Sequence, residues 1–176
     1  MQKINIRNWQ ISDAQALAAV ANNRNVWNSI RNEFPSPYTV MDALAWIKHK
    51  NEEKPVSNFA IEIGRLVAGN ISCTWHKDVY AKTVEIGYFI GENYWGKGIA
   101  TKAARAALAL GEIFEANPII GRTLSSNTAS SRVLEKVGMV QYDTLPFEEF
   151  VGHYAISEPI GAHWNEEKVL LYKLPN

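Results

Sequence analysis

The chain has 176 residues, a length that suits one domain, 1–176, with one sizeable core. Its 18 basic and 18 acidic side chains cancel, and Lys and Arg form no long run, which argues against a nucleic-acid partner held by phosphate neutralisation. No secretory signal is visible, and the longest apolar stretches fall far below the ~20 residues of a membrane helix, so no membrane partner is expected. The single cysteine, Cys73, lies in the apolar stretch from Ile71 to Trp75 and reads as a reduced, buried thiol of a cytoplasmic protein. His49, His76, His153 and His163 lack metal-ligand spacing, so no metal site is expected.

In chain order, Ile4 to Trp9 alternates as a strand does. Ser12 with Gln15 three residues on reads as a capping box for a helix from Asp13 to about Asn22. A short helical turn follows around Val26 to Ile30. The segment Asn32 to Tyr38 carries Pro35 and Pro37 and reads as a loop. Thr39, with Asp42 at the box position, starts a helix to about Lys50. Phe59, Ile61 and Ile63 then alternate as a strand, Gly64-Arg65 turns, and Leu66 to His76 returns, with Gly69 as a bulge candidate.

The next strand, Thr83 to Ile90, sets Val84, Ile86, Tyr88 and Ile90 on one face and Glu85, Gly87 and Phe89 on the other. A helix from Ile99 to about Glu115 follows, then a buried-type strand at Ile119 to Leu124. A shorter helix covers Thr128 to Val137, with Gly138 as its C-terminal stop. Met139 to Asp143 and Val169 to Leu174 are two last strands around a long aromatic loop. The middle three strands form an antiparallel meander, and Thr83 to Leu124 is a parallel crossover unit.

Between that strand and helix runs Tyr94-Trp95-Gly96-Lys97-Gly98-Ile99-Ala100-Thr101. Two glycines one residue apart let the backbone turn and present successive N–H groups beside a helix N-terminus, a cradle suited to a pyrophosphate. A Walker A loop needs Ser or Thr after the lysine, where Gly98 stands. A dinucleotide fingerprint needs a third glycine, where Thr101 stands. A glycine-rich turn without a ligand is the remaining reading of the loop alone.

The run Glu85-Ile86-Gly87-Tyr88-Phe89-Ile90 followed by Trp95 to Thr101 resembles the acetyl-CoA-binding motif of the GNAT superfamily of N-acetyltransferases. Asn127 to Met139 resembles that superfamily's second cofactor-contacting helix. Upstream, Phe34 to Thr39 with Ala43 and Trp46-Ile47 resembles the branch of the ribosomal-protein alanine N-acetyltransferases. The segments occur in the family's order and cover most of the chain.

The resemblance implies an α+β fold with α/β-type layers. Its mixed, mostly antiparallel seven-stranded sheet has a central splayed parallel pair of strands and helices on both faces. It implies acetyl-CoA as cosubstrate, lying in the splay. Phe89, Ile90 and Gly91 then position the thioester and supply an oxyanion donor. Amides from Trp95, Gly96, Lys97, Gly98, Ile99, Ala100 and Thr101 hold the pyrophosphate, with Lys97 adding charge or merely flanking the loop. Asn127 reaches the pantetheine or simply caps its helix. Arg132 supports the cofactor or is a solvated arginine.

Ser130 matches a serine that protonates the leaving thiolate, with helix packing as the alternative and Ser131 or water as substitutes. The tyrosine that many family members carry on this helix is missing. Glu85 is the leading candidate base, with Glu33 second and His76 third; a cross-strand cation is Glu85's alternative role. The acceptor site is expected from Glu33, Phe34, Tyr38, His76 and Tyr154, in the proline loop and the stretch from Leu145 to His163. There, Glu148, Glu149 and Glu158 among aromatics suit a cationic amine, or the stretch is an ordinary apolar cover. The expected activity is transfer of acetyl to a primary amine, a protein N-terminal α-amine or a small molecule, by a monomer or homodimer. The alternative is a non-catalytic acyl-CoA-binding module or sensor.

Overall fold

A computed structural model of the chain describes residues 3–29, 35–76, 83–113, 115–147 and 167–175. The elements are β1 (Asn5–Asn8), α1 (Ala14–Ala21), α2 (Arg24–Trp27), α3 (Val40–Glu52), β2 (Asn58–Ile63), β3 (Leu66–Trp75), β4 (Val84–Ile90), α4 (Ile99–Ile113), β5 (Ile119–Leu124), α5 (Thr128–Lys136), β6 (Val140–Pro146) and β7 (Lys168–Lys173). Strand order in the seven-stranded sheet is β1-β2-β3-β4-β5-β7-β6. Among the described residues only β4 and β5 pair in parallel; the other neighbours are antiparallel. The expected mixed sheet with a central parallel pair is therefore present.

Local chemistry starts the helices. The Thr39 hydroxyl accepts from the Asp42 N–H at 3.2 Å, and Asp42 Oδ2 accepts from the Thr39 N–H at 2.8 Å, which closes the capping box read from sequence. The expected box at Ser12 is not formed. Ile11–Asp13 is a 3-10 turn, and Asp13 Oδ2 instead accepts from the Gln10 N–H at 2.9 Å. The turn starts before Ser12, with Gln10 as its N-cap and Asp13 at the box position, and Arg7 grips both oxygens of Asp13, at 2.7 and 2.9 Å, while its Nε donates to Glu62 at 2.7 Å. Asp13 is thereby tied to β1 and β2, and the helix begins one residue beyond it.

Period-2 alternation divides the core between the two faces of the sheet. Ile86 and Ile90 of β4 pack with Ala103, Ala104, Ala107 and Leu108 of α4 and Leu134 of α5. On the opposite face Phe89 packs with Leu17 of α1 and Ala43 and Ile47 of α3. Burying a side chain such as Ile47 or Leu17 completely stabilises the fold by roughly 1.5–3 kcal/mol, so these two helices are firmly seated. Ile61 pairs with Gly69 and Glu62 with Val67, leaving Ala68 as an extra residue in β3. A side chain at Gly69 would overlap the Phe89 carbonyl oxygen, so the glycine permits the close approach of β3 to β4 beside the bulge.

Candidate active site

The parallel ladder stops early. Val84, Glu85 and Ile86 pair with Ile119, Ile120 and Gly121, and there the pairing ends. Yet β4 continues to Ile90 and β5 to Leu124. The two strands thus leave a gap flanked by backbone groups that a sheet would normally pair.

The ladder's alternation tells which groups face that gap. The Gly91 N–H donates to the Ala68 carbonyl at 2.8 Å and the His76 N–H to the Thr83 carbonyl at 3.1 Å, so odd-numbered positions of β4 direct their backbone groups to β3. The Val84 N–H donates to the Pro118 carbonyl at 3.1 Å, towards β5. By the same alternation the N–H and C=O groups of Tyr88 and Ile90 point into the gap. Of the three positions expected to hold the thioester, Ile90 faces the gap, whereas the Phe89 backbone and the Gly91 N–H are directed towards β3 and the Gly91 carbonyl accepts from the Tyr94 N–H at 2.8 Å. The Ile90 carbonyl accepts from the Trp95 indole N–H at 2.6 Å.

The gap opens into a cleft of about 850 Å³. One rim is the glycine loop and the start of α4: Trp95, Gly96, Gly98, Ile99, Ala100 and Thr101 line it. Gly96 and Gly98 both have φ of 70° with nothing within 4 Å of where a Cβ would stand. Backbone conformation, not crowding, demands glycine there. Lys97 turns back: its Nζ donates to the Asn93 carbonyl at 2.7 Å and lies 5.7 Å from the Tyr94 ring centroid.

The other rim is the first turn of α5, with Asn127, Ser130 and Arg132. Asn127 Oδ1 accepts from the Ser130 N–H at 3.1 Å, an N-cap, and its Nδ2 lies 3.5 Å from the Ser29 carbonyl. The Ser130 hydroxyl meets the Tyr88 hydroxyl at 3.0 Å, and Tyr88 also donates to the Ser130 carbonyl at 3.2 Å. Burial pushes the Tyr88 phenol up to about 12, opposed by the Ser130 hydrogen bond and assisted by nearby Tyr172. Tyr88 was legible from sequence only as an apolar-face residue.

Across the sheet the cleft floor is polar, with Ser72, Thr74, His76, Glu85 and Arg122 contributing. Glu85 takes a two-point ion pair from Arg122, whose Nε lies 2.7 Å from Oε1 and whose Nη2 bonds Oε2. His76 Nε2 lies 3.5 Å from Glu85 Oε2. All three side chains are largely shielded, at 17%, 14% and 5% exposure for His76, Glu85 and Arg122. Glu85, read as the leading base, therefore has the cross-strand cation partner that was its alternative role. Arg122 was not singled out from sequence. A lone basic residue inside the apolar strand Ile119–Leu124 was the available signal.

Tyr38 does not reach the cleft: it is buried between α1 and α3, with its N–H on Asn22 Oδ1 at 3.1 Å. Glu33, Phe34 and Tyr154, and the acidic aromatic stretch with Glu148, Glu149 and Glu158, lie outside the described residues. Cys73 is buried with its Sγ 3.6 Å from the Ala107 carbonyl, and burial pushes its thiol up to about 11. Among the described residues no group of three His, Cys, Asp or Glu could hold a metal ion, and no helix is long and apolar enough to cross a membrane.

Residues 3–140 match the family model described as an acetyltransferase (GNAT) domain. The chain belongs to the GNAT acetyltransferases. Among curated relatives, this GNAT enzyme is 29% identical over 141 residues to the uncharacterized N-acetyltransferase YnaD of Bacillus subtilis (strain 168), covering 78% of this chain and 79% of that one. Two solved structures share its fold. One is a ribosomal-protein-alanine N-acetyltransferase from Brucella melitensis, with a TM-score of 0.73 at 19% identity, covering 96% and 98% of the two chains. The other is the Microcin C7 self-immunity acetyltransferase MccE in complex with acetyl-CoA and AMP, with a TM-score of 0.75 at 18% identity, covering 97% and 91%. The protein is an acetyl-CoA-dependent acetyltransferase that transfers acetyl to an amine.

Proposed function

We propose that this enzyme, as one N-acetyltransferase domain, transfers acetyl from acetyl-CoA to a primary amine by direct attack in a ternary complex, the acceptor being a protein N-terminal α-amine or a small-molecule amine. The observation that carries this reading is the cleft itself. It joins the glycine-loop rim, the β4–β5 gap and the polar floor of His76, Glu85 and Arg122 in one continuous space, so donor and acceptor can meet without a covalent enzyme intermediate.

The residues present fit acetyl-CoA. A ladder that ends at Ile86 leaves the Tyr88 backbone groups and the Ile90 N–H for an extended amide chain, the Ile90 carbonyl being taken by the Trp95 indole. The positive-φ loop from Trp95 to Ala100 at the head of α4 suits a pyrophosphate. Asn127 and Arg132 add polar groups on the facing rim. Bound there, the cosubstrate supplies an activated acetyl thioester.

An attacking amine must be neutral. For an α-amine of pKa near ~8 deprotonation at pH 7 costs about 1.4 kcal/mol, and for a lysine-like amine near ~10.4 about 4.6 kcal/mol. Glu85 has its oxygens committed to Arg122, which leaves it a poor proton acceptor. His76 beside it is the better base: the Glu85 anion at 3.5 Å stabilises the imidazolium that proton uptake creates. Such moderate help suits an α-amine acceptor better than a lysine.

The test is thiol release from acetyl-CoA with a panel of peptides bearing free N-terminal amines, Nα-blocked lysine peptides, and polyamines such as spermidine. Turnover with α-amine peptides or with small amines supports the reading. Tight CoA binding with no turnover on any primary amine would overturn it.

A further inference from the structure

We propose that Tyr88 is a positioning residue for thioester cleavage, its hydroxyl aiming the Ser130 hydroxyl into the β4–β5 gap as a hydrogen-bond donor to the departing thiolate. The inference rests on acetyl-CoA lying in that gap, as argued above.

Tyr88 and Ser130 are 42 residues apart in sequence, on β4 and on the first turn of α5. Ser130 is fixed at three atoms: its N–H by Asn127 Oδ1, and its carbonyl and hydroxyl by Tyr88. The Tyr88 hydroxyl has one proton and, among the described residues, two hydrogen-bond acceptors, both on this one serine. When Tyr88 donates to the carbonyl, the Ser130 proton is drawn back towards the phenol oxygen. When Tyr88 donates to Ser130 Oγ, the serine proton is released to the cleft that both residues line. Negative charge appearing in the gap favours the second arrangement. Burial on the α4/α5 face keeps the phenol a donor throughout, because its proton is held well above neutral pH.

The chemical step balances without net loss from either hydroxyl. The amine nitrogen forms the C–N bond, and the C–S bond of the tetrahedral adduct breaks. The carbonyl re-forms, and the electron pair leaves on sulfur. The surplus proton of the amine goes to the base on the polar floor or to water. Ser130 keeps its proton and stabilises sulfur by hydrogen bonding, while the Tyr88 hydrogen bond to Oγ makes that donor stronger. No tyrosine occurs between Asn127 and Val137, so this strand–helix pair is what the first turn of α5 presents to the gap.

Tyr88→Phe, Ser130→Ala and the double variant separate this role from packing, since Phe keeps the ring. Thiol release is read both with the best amine of the panel and with water as the acyl acceptor, the latter being independent of acceptor identity. We expect Tyr88→Phe to lower kcat roughly tenfold, with the acetyl-CoA KM changed less than about twofold. In the Ser130→Ala background the same change should cost less than about twofold, because the hydroxyl it positions is gone. Wild-type kcat for Tyr88→Phe, or an undiminished loss in the Ser130→Ala background, would overturn the proposal. Coupling seen in acetyl-CoA hydrolysis with no amine turned over would sink the acceptor reading and leave the Tyr88 role standing.

Discussion

Arg122 and Glu85 share a two-point ion pair across the parallel β4–β5 ladder, with Arg122 Nε 2.7 Å from Glu85 Oε1. Glu85 is in register with Ile120, so Arg122 stands two residues further along the same face, just beyond the last paired position. The pair thus links the two strands where backbone pairing stops. A guanidinium fork matches a carboxylate in geometry as well as charge, which a lysine would not.

Removing one member of this shielded pair should strand the other. Arg122→Ala is expected to lower stability by about 3 kcal/mol, and adding Glu85→Gln should recover part of that loss. Urea denaturation of the two variants checks it. A loss below about 0.5 kcal/mol would show the pair to be energetically idle.

The division of labour on the polar floor is open to kinetics. His76→Gln is expected to lower kcat about a hundredfold and Glu85→Gln about tenfold, each with little change in acetyl-CoA KM. The reverse ranking would make Glu85 the base despite its guanidinium partner.

Gly98 has φ of 70° and open space around it. Gly98→Val should leave the fold standing but strain the loop by roughly 1–2 kcal/mol. The acetyl-CoA KM should rise about tenfold, with kcat at saturation nearly kept. Unchanged kinetics would remove the loop from the cofactor site.

Cys73 and Tyr88 are both pushed up by burial, from 9.0 to about 11 and from 10.0 to about 12. The folded chain therefore keeps protons that the unfolded chain gives up. Their contribution is full below pH 9 and is lost as pH rises towards 12, at no more than about 1.4 kcal/mol per pH unit for each group. Urea melts between pH 8 and 11 should show stability declining, and Cys73→Ala should flatten the first part of that decline. At pH 9 a thiol probe should label native Cys73 about fiftyfold more slowly than the unfolded chain, from ionisation alone.

Much of this architecture follows from short-range chemistry. The Thr39–Asp42 box, the Gly64-Arg65 turn with both residues at positive φ, and Gly138 at φ of 92° all stand where the sequence pattern puts them. The Val84/Ile86/Tyr88/Ile90 face of β4 meets α4 and α5 as alternation requires. Ser12 is no cap because the 3-10 turn starts before it, with Gln10 as N-cap and Asp13, held by Arg7, at the box position.

The candidate site divides along the same line. The glycine loop and the Asn127 cap were readable because each rests on the conformation of a few consecutive residues. The helix that lacks the family's tyrosine meets Tyr88 of β4 at Ser130, and Glu85 has its partner in Arg122. Alternation names the face on which a side chain stands, but strand register and helix placement decide what stands opposite. Those depend on a bulge at Ala68, a ladder that ends at Ile86 and a sheet order that brings β5 beside β4, all set by packing across the whole core.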